Sequence, residues 1–103
     1  MNKILPLIEQ VILRYFSDVM DVRFENRSTY LGSSPELPED KRTINTITII
    51  VTINNLKEGY TWYDISRLKK EIMAKVDDYF NLNYAKYGSG WDFEFYQAKR
   101  ERV

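Results

Sequence analysis

The chain contains neither cysteine nor histidine. The absence of cysteine excludes disulfide bonds, zinc–thiolate sites and thiol nucleophiles. The absence of histidine excludes imidazole acid–base chemistry and the Ser–His–Asp arrangement. We therefore predict that the protein is not an enzyme and that it holds no metal ion or cofactor. A chain without cysteine is also compatible with the reducing cytoplasm, which is the location we expect.

An excess of charge of either sign is absent as well, because Lys and Arg together number 15 and Asp and Glu together number 15. A protein that binds duplex DNA is usually basic, since neutralising phosphates supplies much of its affinity. The longest uninterrupted apolar run, Ile49-Ile50-Val51, is far shorter than the ~20 residues that cross a bilayer. We expect neither a membrane-spanning segment nor a signal peptide at Met1–Pro6.

What the chain does have suits one folded domain over residues 1–103. Hydrophobic residues make up 44% and charged residues 29%, which is ordinary for a globular protein. Aromatic residues make up 15%, which predicts an aromatic-rich core, an adhesive surface, or both.

The first half of the chain predicts a helix followed by a strand. Apolar residues recur at helical spacing over residues 3–17, with Asn2 as the N-cap. Residues 19–31 alternate instead with period two, and Met20, Val22 and Phe24 share one face. The other face of this strand carries charges of alternating sign: Asp21, Arg23, Glu25 and Arg27. Residues 32–41 form a proline-containing loop.

Residues 42–54 give the clearest strand signal, because β-branched residues dominate both faces. Ile47, Ile49 and Val51 are predicted to face the core, packed by the next helix through Leu68, Ile72 and Val76. That helix begins with Thr61 and Asp64 at the spacing of a capping box. Its apolar stripe is Ile65, Leu68, Ile72, Val76 and Tyr79.

The end of the second helix stays open between two alternatives. A helical spacing continues through Phe80, Tyr84 and Tyr87, with Gly88 as a C-terminal residue. The favoured alternative is a hairpin in which residues 82–87 pair with 91–97. The order is then α-β-β-α-β or α-β-β-α-β-β. Either order predicts an α+β fold: an antiparallel sheet of three or four strands with two helices.

The second face of strand 42–54 is the first candidate interaction surface. It consists of Ile44, Thr46, Thr48, Ile50 and Thr52, and it carries neither proline nor charge. Long strands without such protection are usually paired or covered. The alternating charges of the preceding strand, which include Arg23 and Arg27, suit antiparallel pairing with another copy. We therefore expect a homo-oligomer or a complex with another protein.

Single-stranded nucleic acid is the alternative partner. Basic residues of the second helix and aromatic residues near the C-terminus suit phosphate contacts and base stacking. The residues concerned are Arg67, Lys70, Tyr84, Tyr87, Trp91 and Tyr96. Asp92 and Glu94 share a strand face, where two carboxylates suggest a magnesium site, but a solvated sheet surface explains them more simply.

No residue motif identifies a family. The order of the elements is similar to that of small phage tail-completion and connector proteins, which act by assembling into rings, and of small phage proteins that bind a host factor. Topology alone is shared by many functions. The sequence thus predicts a non-enzymatic protein–protein interaction or assembly module, and the resemblance implies a viral one.

Overall fold

Five elements follow one another in the computed structural model, which describes residues 3–30, 43–85 and 90–98. The elements are α1 (Ile4–Tyr15), β1 (Val19–Tyr30), β2 (Thr43–Ile53), α2 (Trp62–Phe80) and β3 (Trp91–Gln97). The predicted α+β class and the order α-β-β-α-β are confirmed. The N-cap of α1 is Lys3, without a side-chain capping bond, so the prediction of Asn2 as the N-cap was wrong. The predicted loop at 32–41 and the residues 86–89 lie outside the described residues.

The sheet has three strands in the order β1-β2-β3, so β2 is its central strand. β1 and β2 are antiparallel, as predicted, whereas β2 and β3 are parallel. The prediction of a purely antiparallel sheet was therefore wrong. A parallel pair needs a long crossover between its strands. α2 supplies it, because 19 residues at ~1.5 Å each carry the chain back along the sheet.

The structure also tests the two alternatives for the end of α2. The helix stops at Phe80, and Asn81 follows in the left-handed conformation with a φ of 52°. The predicted hairpin of residues 82–87 with 91–97 was wrong, because β3 pairs with β2 and residues 82–85 are not in a strand. The alternative, a helix continuing to Tyr87, was wrong too.

A single cluster of buried side chains lies between the helices and one face of the sheet. Ile49 and Val51 belong to it together with Leu68, Ile72 and Val76, which agrees with the predicted packing. The other members are Ile8, Ile12, Val19, Val22, Ile53, Ile65 and Leu82. Ile47 is half-buried, and Tyr79, the last residue of the predicted α2 stripe, is 51% exposed.

A β-bulge near the start of β1 alters the predicted face pattern. Val19 lies opposite Ile53, but the register shifts before Asp21, which lies opposite Thr52. Met20 is the extra residue, and its side chain is 54% exposed instead of facing the core. The prediction that Met20 shares a face with Val22 and Phe24 was wrong because a period-two reading does not detect an inserted residue.

The start of α2 follows the predicted capping box. The Asp64 backbone N–H donates to Thr61 Oγ1 at 3.3 Å, and the Thr61 backbone N–H donates to Asp64 Oδ2 at 2.8 Å. These two bonds satisfy N–H groups that a helix start otherwise leaves unpaired. The Thr61 N–H and then the Thr61 hydroxyl, which both donate to the Asp64 carboxylate, lower the pKa of Asp64. Neither described helix is long and apolar enough to cross a membrane.

Candidate interaction surfaces

The face of the sheet turned away from the helices, called here the outer sheet face, carries the interaction residues predicted from the sequence. Both helices pack into the core cluster on the opposite face. β1 contributes four charged residues, β2 four threonine or isoleucine residues and β3 three polar residues. They are Asp21, Arg23, Glu25 and Arg27; Thr46, Thr48, Ile50 and Thr52; and Asp92, Glu94 and Tyr96.

The centre of this face is not the exposed stripe that the sequence predicted. Thr48 is 1% exposed and Ile50 is 4% exposed, whereas Thr46 and Thr52 are half-buried. β1 and β3 pair with both edges of β2, so this strand has no open edge at which another copy could pair. Ile44 lies opposite Thr29 in the ladder, and its side chain is outside the described residues.

Charged side chains of the two outer strands reach across β2. Arg27 Nη1 lies 2.5 Å from Glu94 Oε2, and Arg27 Nε lies 3.2 Å from Glu25 Oε1. Because Arg27 is level with Thr46 and Glu94 is level with Ile50, the first pair crosses the central strand diagonally. This crossing accounts for part of the burial of the uncharged β2 side chains below it.

Glu94 is the meeting point of this polar network. It accepts hydrogen bonds from Arg27 and from the Tyr96 hydroxyl, which hold its pKa below the ordinary value, Arg27 having the larger effect. The same contacts raise the pKa of Arg27 and that of Tyr96. Arg23 Nε lies 3.2 Å from Asp21 Oδ2, and both side chains are more than half exposed.

The residues predicted to bind single-stranded nucleic acid are not brought onto one surface. The Tyr84 ring meets Phe93 edge to face at 5.3 Å, and Trp91 packs against the core cluster, so both lie on the helix side. Tyr96 points to the outer sheet face, beside the Glu94 carboxylate. Arg67 and Lys70 are exposed on α2, and Tyr87 lies outside the described residues.

The first turn of α2 holds a surface that the sequence reasoning missed. Trp62 is 77% exposed and its neighbour Tyr63 is 67% exposed. The Arg67 guanidinium carbon lies 6.0 Å from the centroid of the Tyr63 ring, at the limit of a cation–π contact. We call these three residues the Trp62 patch. The sequence does carry a signal for this exposure, because Trp62 and Tyr63 precede the buried stripe of α2, which begins at Ile65.

An open cleft of about 290 Å³ adjoins the Trp62 patch. Arg67 belongs to both, and Asp18, Glu58, Tyr60 and Glu71 are among the other lining residues. Burial, and then the nearby Asp18 carboxylate, raise the pKa of Tyr60. The lining mixes both signs of charge, and within the described parts of the chain no three His, Cys, Asp or Glu side chains are grouped as metal ligands would be.

A second groove runs between α1 and the end of α2. The hydroxyl groups of Tyr15 and Tyr79 are 2.7 Å apart, and Lys75 Nζ lies 4.8 Å from the Tyr15 ring centroid. The hydrogen bond with Tyr15 raises the pKa of Tyr79. These contacts join the two helices at the protein surface. Packing between α1 and α2 therefore explains the aromatic residues that line the groove.

Comparison of the chain with protein-family models, with curated proteins and with solved structures gave no match.

Proposed function

We propose that this protein is a non-enzymatic protein–protein interaction or assembly module. The observation that carries the proposal is the exposure of the Trp62 patch, where Trp62 and Tyr63 are consecutive residues in the first turn of α2 and Arg67 lies near the Tyr63 ring. Trp, Tyr and Arg are the residue types most enriched where alanine substitution weakens protein complexes.

The energetics of a single tryptophan support a binding role. A Trp side chain buries about 150–250 Å² when covered. At ~25 cal/mol per Å², covering most of that area contributes about 4 kcal/mol before the costs of association. Among the exposed large apolar side chains of the described residues, Trp62 is the most exposed at 77%, and Tyr63 follows at 67%.

The composition and the element order are compatible with this proposal. A cysteine-free chain suits the cytoplasm, where we propose that the protein acts. The resemblance in element order to small phage assembly and host-factor-binding proteins suggests that its partner is another structural subunit or a host protein. Nucleic acid is the less favoured partner, because Tyr84, Trp91 and Tyr96 do not share a face.

Substitution of the Trp62 patch tests the proposal. Wild type, Trp62→Ala and Leu7→Ala would each be measured by light scattering after size exclusion and used as bait for quantitative mass spectrometry of co-purifying proteins. Leu7 is 50% exposed on α1, so Leu7→Ala controls for loss of an exposed apolar side chain elsewhere. We expect Trp62→Ala, but not Leu7→Ala, to reduce the amount of captured partner, or the self-association constant, at least tenfold.

Fluorescence gives an independent measure, because the chain has only two tryptophans. In Trp91→Phe the emission comes from Trp62 alone, and it should shift to shorter wavelength when the partner covers the indole. A wild type that is monomeric at all concentrations and captures the same proteins as Trp62→Ala would contradict the proposal. Binding of an oligonucleotide that weakens steeply with salt would favour the nucleic-acid alternative instead.

A further inference from the structure

One edge of β1 pairs with β2, and no described strand lies along its other edge. The hydrogen bonds of β2 show which backbone groups of β1 face that open edge. Ile47 N–H donates to the Gly90 carbonyl, and Ala98 N–H donates to the Ile53 carbonyl, so odd-numbered residues of β2 bond to β3. Successive residues in a strand point their backbone groups in opposite directions. Even-numbered residues of β2 therefore bond to β1.

The register then assigns the backbone groups of β1. The even-numbered residues of β2 lie opposite the four charged residues of β1, from Asp21 to Arg27. The four charged residues therefore direct their backbone N–H and C=O groups towards β2. Val22, Phe24 and Asn26 consequently direct theirs towards the open edge. A second strand could exchange backbone hydrogen bonds with these three residues.

The charged side chains of β1 indicate which strand can pair with its open edge. Asp21, Arg23, Glu25 and Arg27 alternate in sign on the outer sheet face, and their side chains are 52%, 64%, 55% and 39% exposed. We propose that β1 pairs with β1 of a second copy of this chain, antiparallel, about a two-fold axis through Phe24. Two three-stranded sheets would then join into one continuous sheet of six strands. This inference rests on the proposed function, because it requires that the protein acts by binding another protein molecule.

The register through Phe24 is the one that pairs all four charges favourably. Asp21 then faces Arg27 of the second copy, and Arg23 faces Glu25 of the second copy. Opposite charges directly across a ladder stabilise it, and like charges destabilise it. A shift to the neighbouring register on one side places Arg23 against Arg23 of the second copy. The shift on the other side places Glu25 against Glu25 of the second copy, and more distant registers leave at least two of the four charges without a charged partner.

Two further features fit the same register. Met20, the extra residue of the bulge, would face Ser28 of the second copy, so regular pairing would run from Asp21 to Arg27. Phe24 is half-buried at the margin of the core cluster and would meet its own copy at the axis. Closed two-fold assembly of this kind uses the same surface on both partners.

Charge reversal tests the pairing in the full chain by sedimentation velocity over a concentration series. Arg23→Glu would face Glu25 of its copy and should weaken the dimer at least tenfold. Glu25→Arg would face Arg23 of its copy and should do the same. A mixture of the two single variants restores both opposite-charge pairs, so it should form a heterodimer. The double variant Arg23→Glu/Glu25→Arg should recover the wild-type dimer by the same reasoning.

Circular dichroism melting would verify that each variant folds. Asp78→Arg and Lys70→Glu, both at exposed positions of α2, would control for the changes in net charge made by Glu25→Arg and Arg23→Glu. A monomeric wild type, or single variants that dimerise as well as wild type, would overturn the β1 pairing. Failure of the mixture to restore association would overturn the Phe24 register. A dimer that Trp62→Ala abolishes and the β1 variants leave intact would refute this inference while supporting the proposed function.

Discussion

Arg27 of β1 forms an ion pair with Glu94 of β3 at 2.5 Å, although β2 lies between their strands. Arg27 is long enough to cross one strand, and its aliphatic stem can cover apolar surface while the guanidinium stays polar. The pair thus links the two outer strands directly. It crosses the outer sheet face between Thr46 and Ile50, where Thr48 and Ile50 are buried although the helices lie on the opposite face.

We expect Glu94→Gln to lower the free energy of unfolding at neutral pH, because Arg27 then loses one of its two carboxylate partners and keeps only Glu25. The native pKa of Glu94 lies below its ordinary value of 4.5. A lowered native pKa contributes stability above the unfolded pKa, and this stability is lost as the pH falls through the native pKa. The difference between wild type and variant should therefore be full above about pH 5 and should shrink in acid.

Urea denaturation at a series of pH values measures this difference. Asp92→Asn is the matched control, since Asp92 lies on the same strand and face and accepts a hydrogen bond from the Phe93 N–H that an asparagine oxygen can also accept. A stability difference for Glu94→Gln that does not change between pH 7 and strong acid would contradict the assignment.

Ile50 gives the sharpest reversal of a sequence-based prediction. From the sequence, Ile50→Lys should leave the fold intact, but at 4% exposure the lysine charge would have to enter a covered site. We now expect Ile50→Lys to unfold or severely destabilise the protein, and Ile50→Ala to cost about 2–5 kcal/mol, as at other buried isoleucines. Urea denaturation followed by circular dichroism measures both variants.

Thr52→Ala provides the comparison, because Thr52 shares the strand and face of Ile50 but is only half-buried. Its cost should be clearly smaller than that of Ile50→Ala. An Ile50→Ala variant within about 0.5 kcal/mol of wild type would be typical of an exposed site and would contradict the burial of this residue.

The predictions that came true depend on local sequence. The capping box of Thr61 and Asp64 and the stripe from Ile65 to Val76 involve residues three or four apart, and the structure has both. The β1–β2 pairing follows from two strands that are consecutive in the chain. Such features depend on spacing, which a single sequence displays directly.

The failures concern choices that spacing does not settle. Whether β3 pairs with the preceding segment or with β2 depends on how α2 packs, and both pairings offered reasonable cross-strand neighbours. The bulge at Met20 inserts one residue into an otherwise regular alternation. The Trp62 patch escaped notice because aromatic residues are usual core candidates, and only the packed structure shows which of them stay outside.

We expect no hydrolase activity from this chain. The two carboxylates that share a β3 face are Asp92 and Glu94, and Glu94 is already engaged by Arg27 and Tyr96. Phosphodiester, phosphomonoester and ester substrates would be assayed with magnesium, manganese or zinc. Turnover that Asp92→Asn or Glu94→Gln abolishes would contradict this prediction and would indicate a metal-dependent active site.

Asn81 offers a test of how α2 ends. Its φ of 52° lies in the left-handed region, where a Cβ atom costs about 1–2 kcal/mol and only glycine and asparagine are readily accommodated. We expect Asn81→Ala to lower the free energy of unfolding by about 1 kcal/mol, measured by urea denaturation. Asn81→Gly removes the Cβ and should leave stability unchanged or raise it.

If the helix instead continued through residue 81, the order of the two variants' stabilities would reverse, because glycine inside a helix is about 1 kcal/mol less favourable than alanine. An Asn81→Ala variant more stable than Asn81→Gly would therefore show that α2 does not end at Phe80.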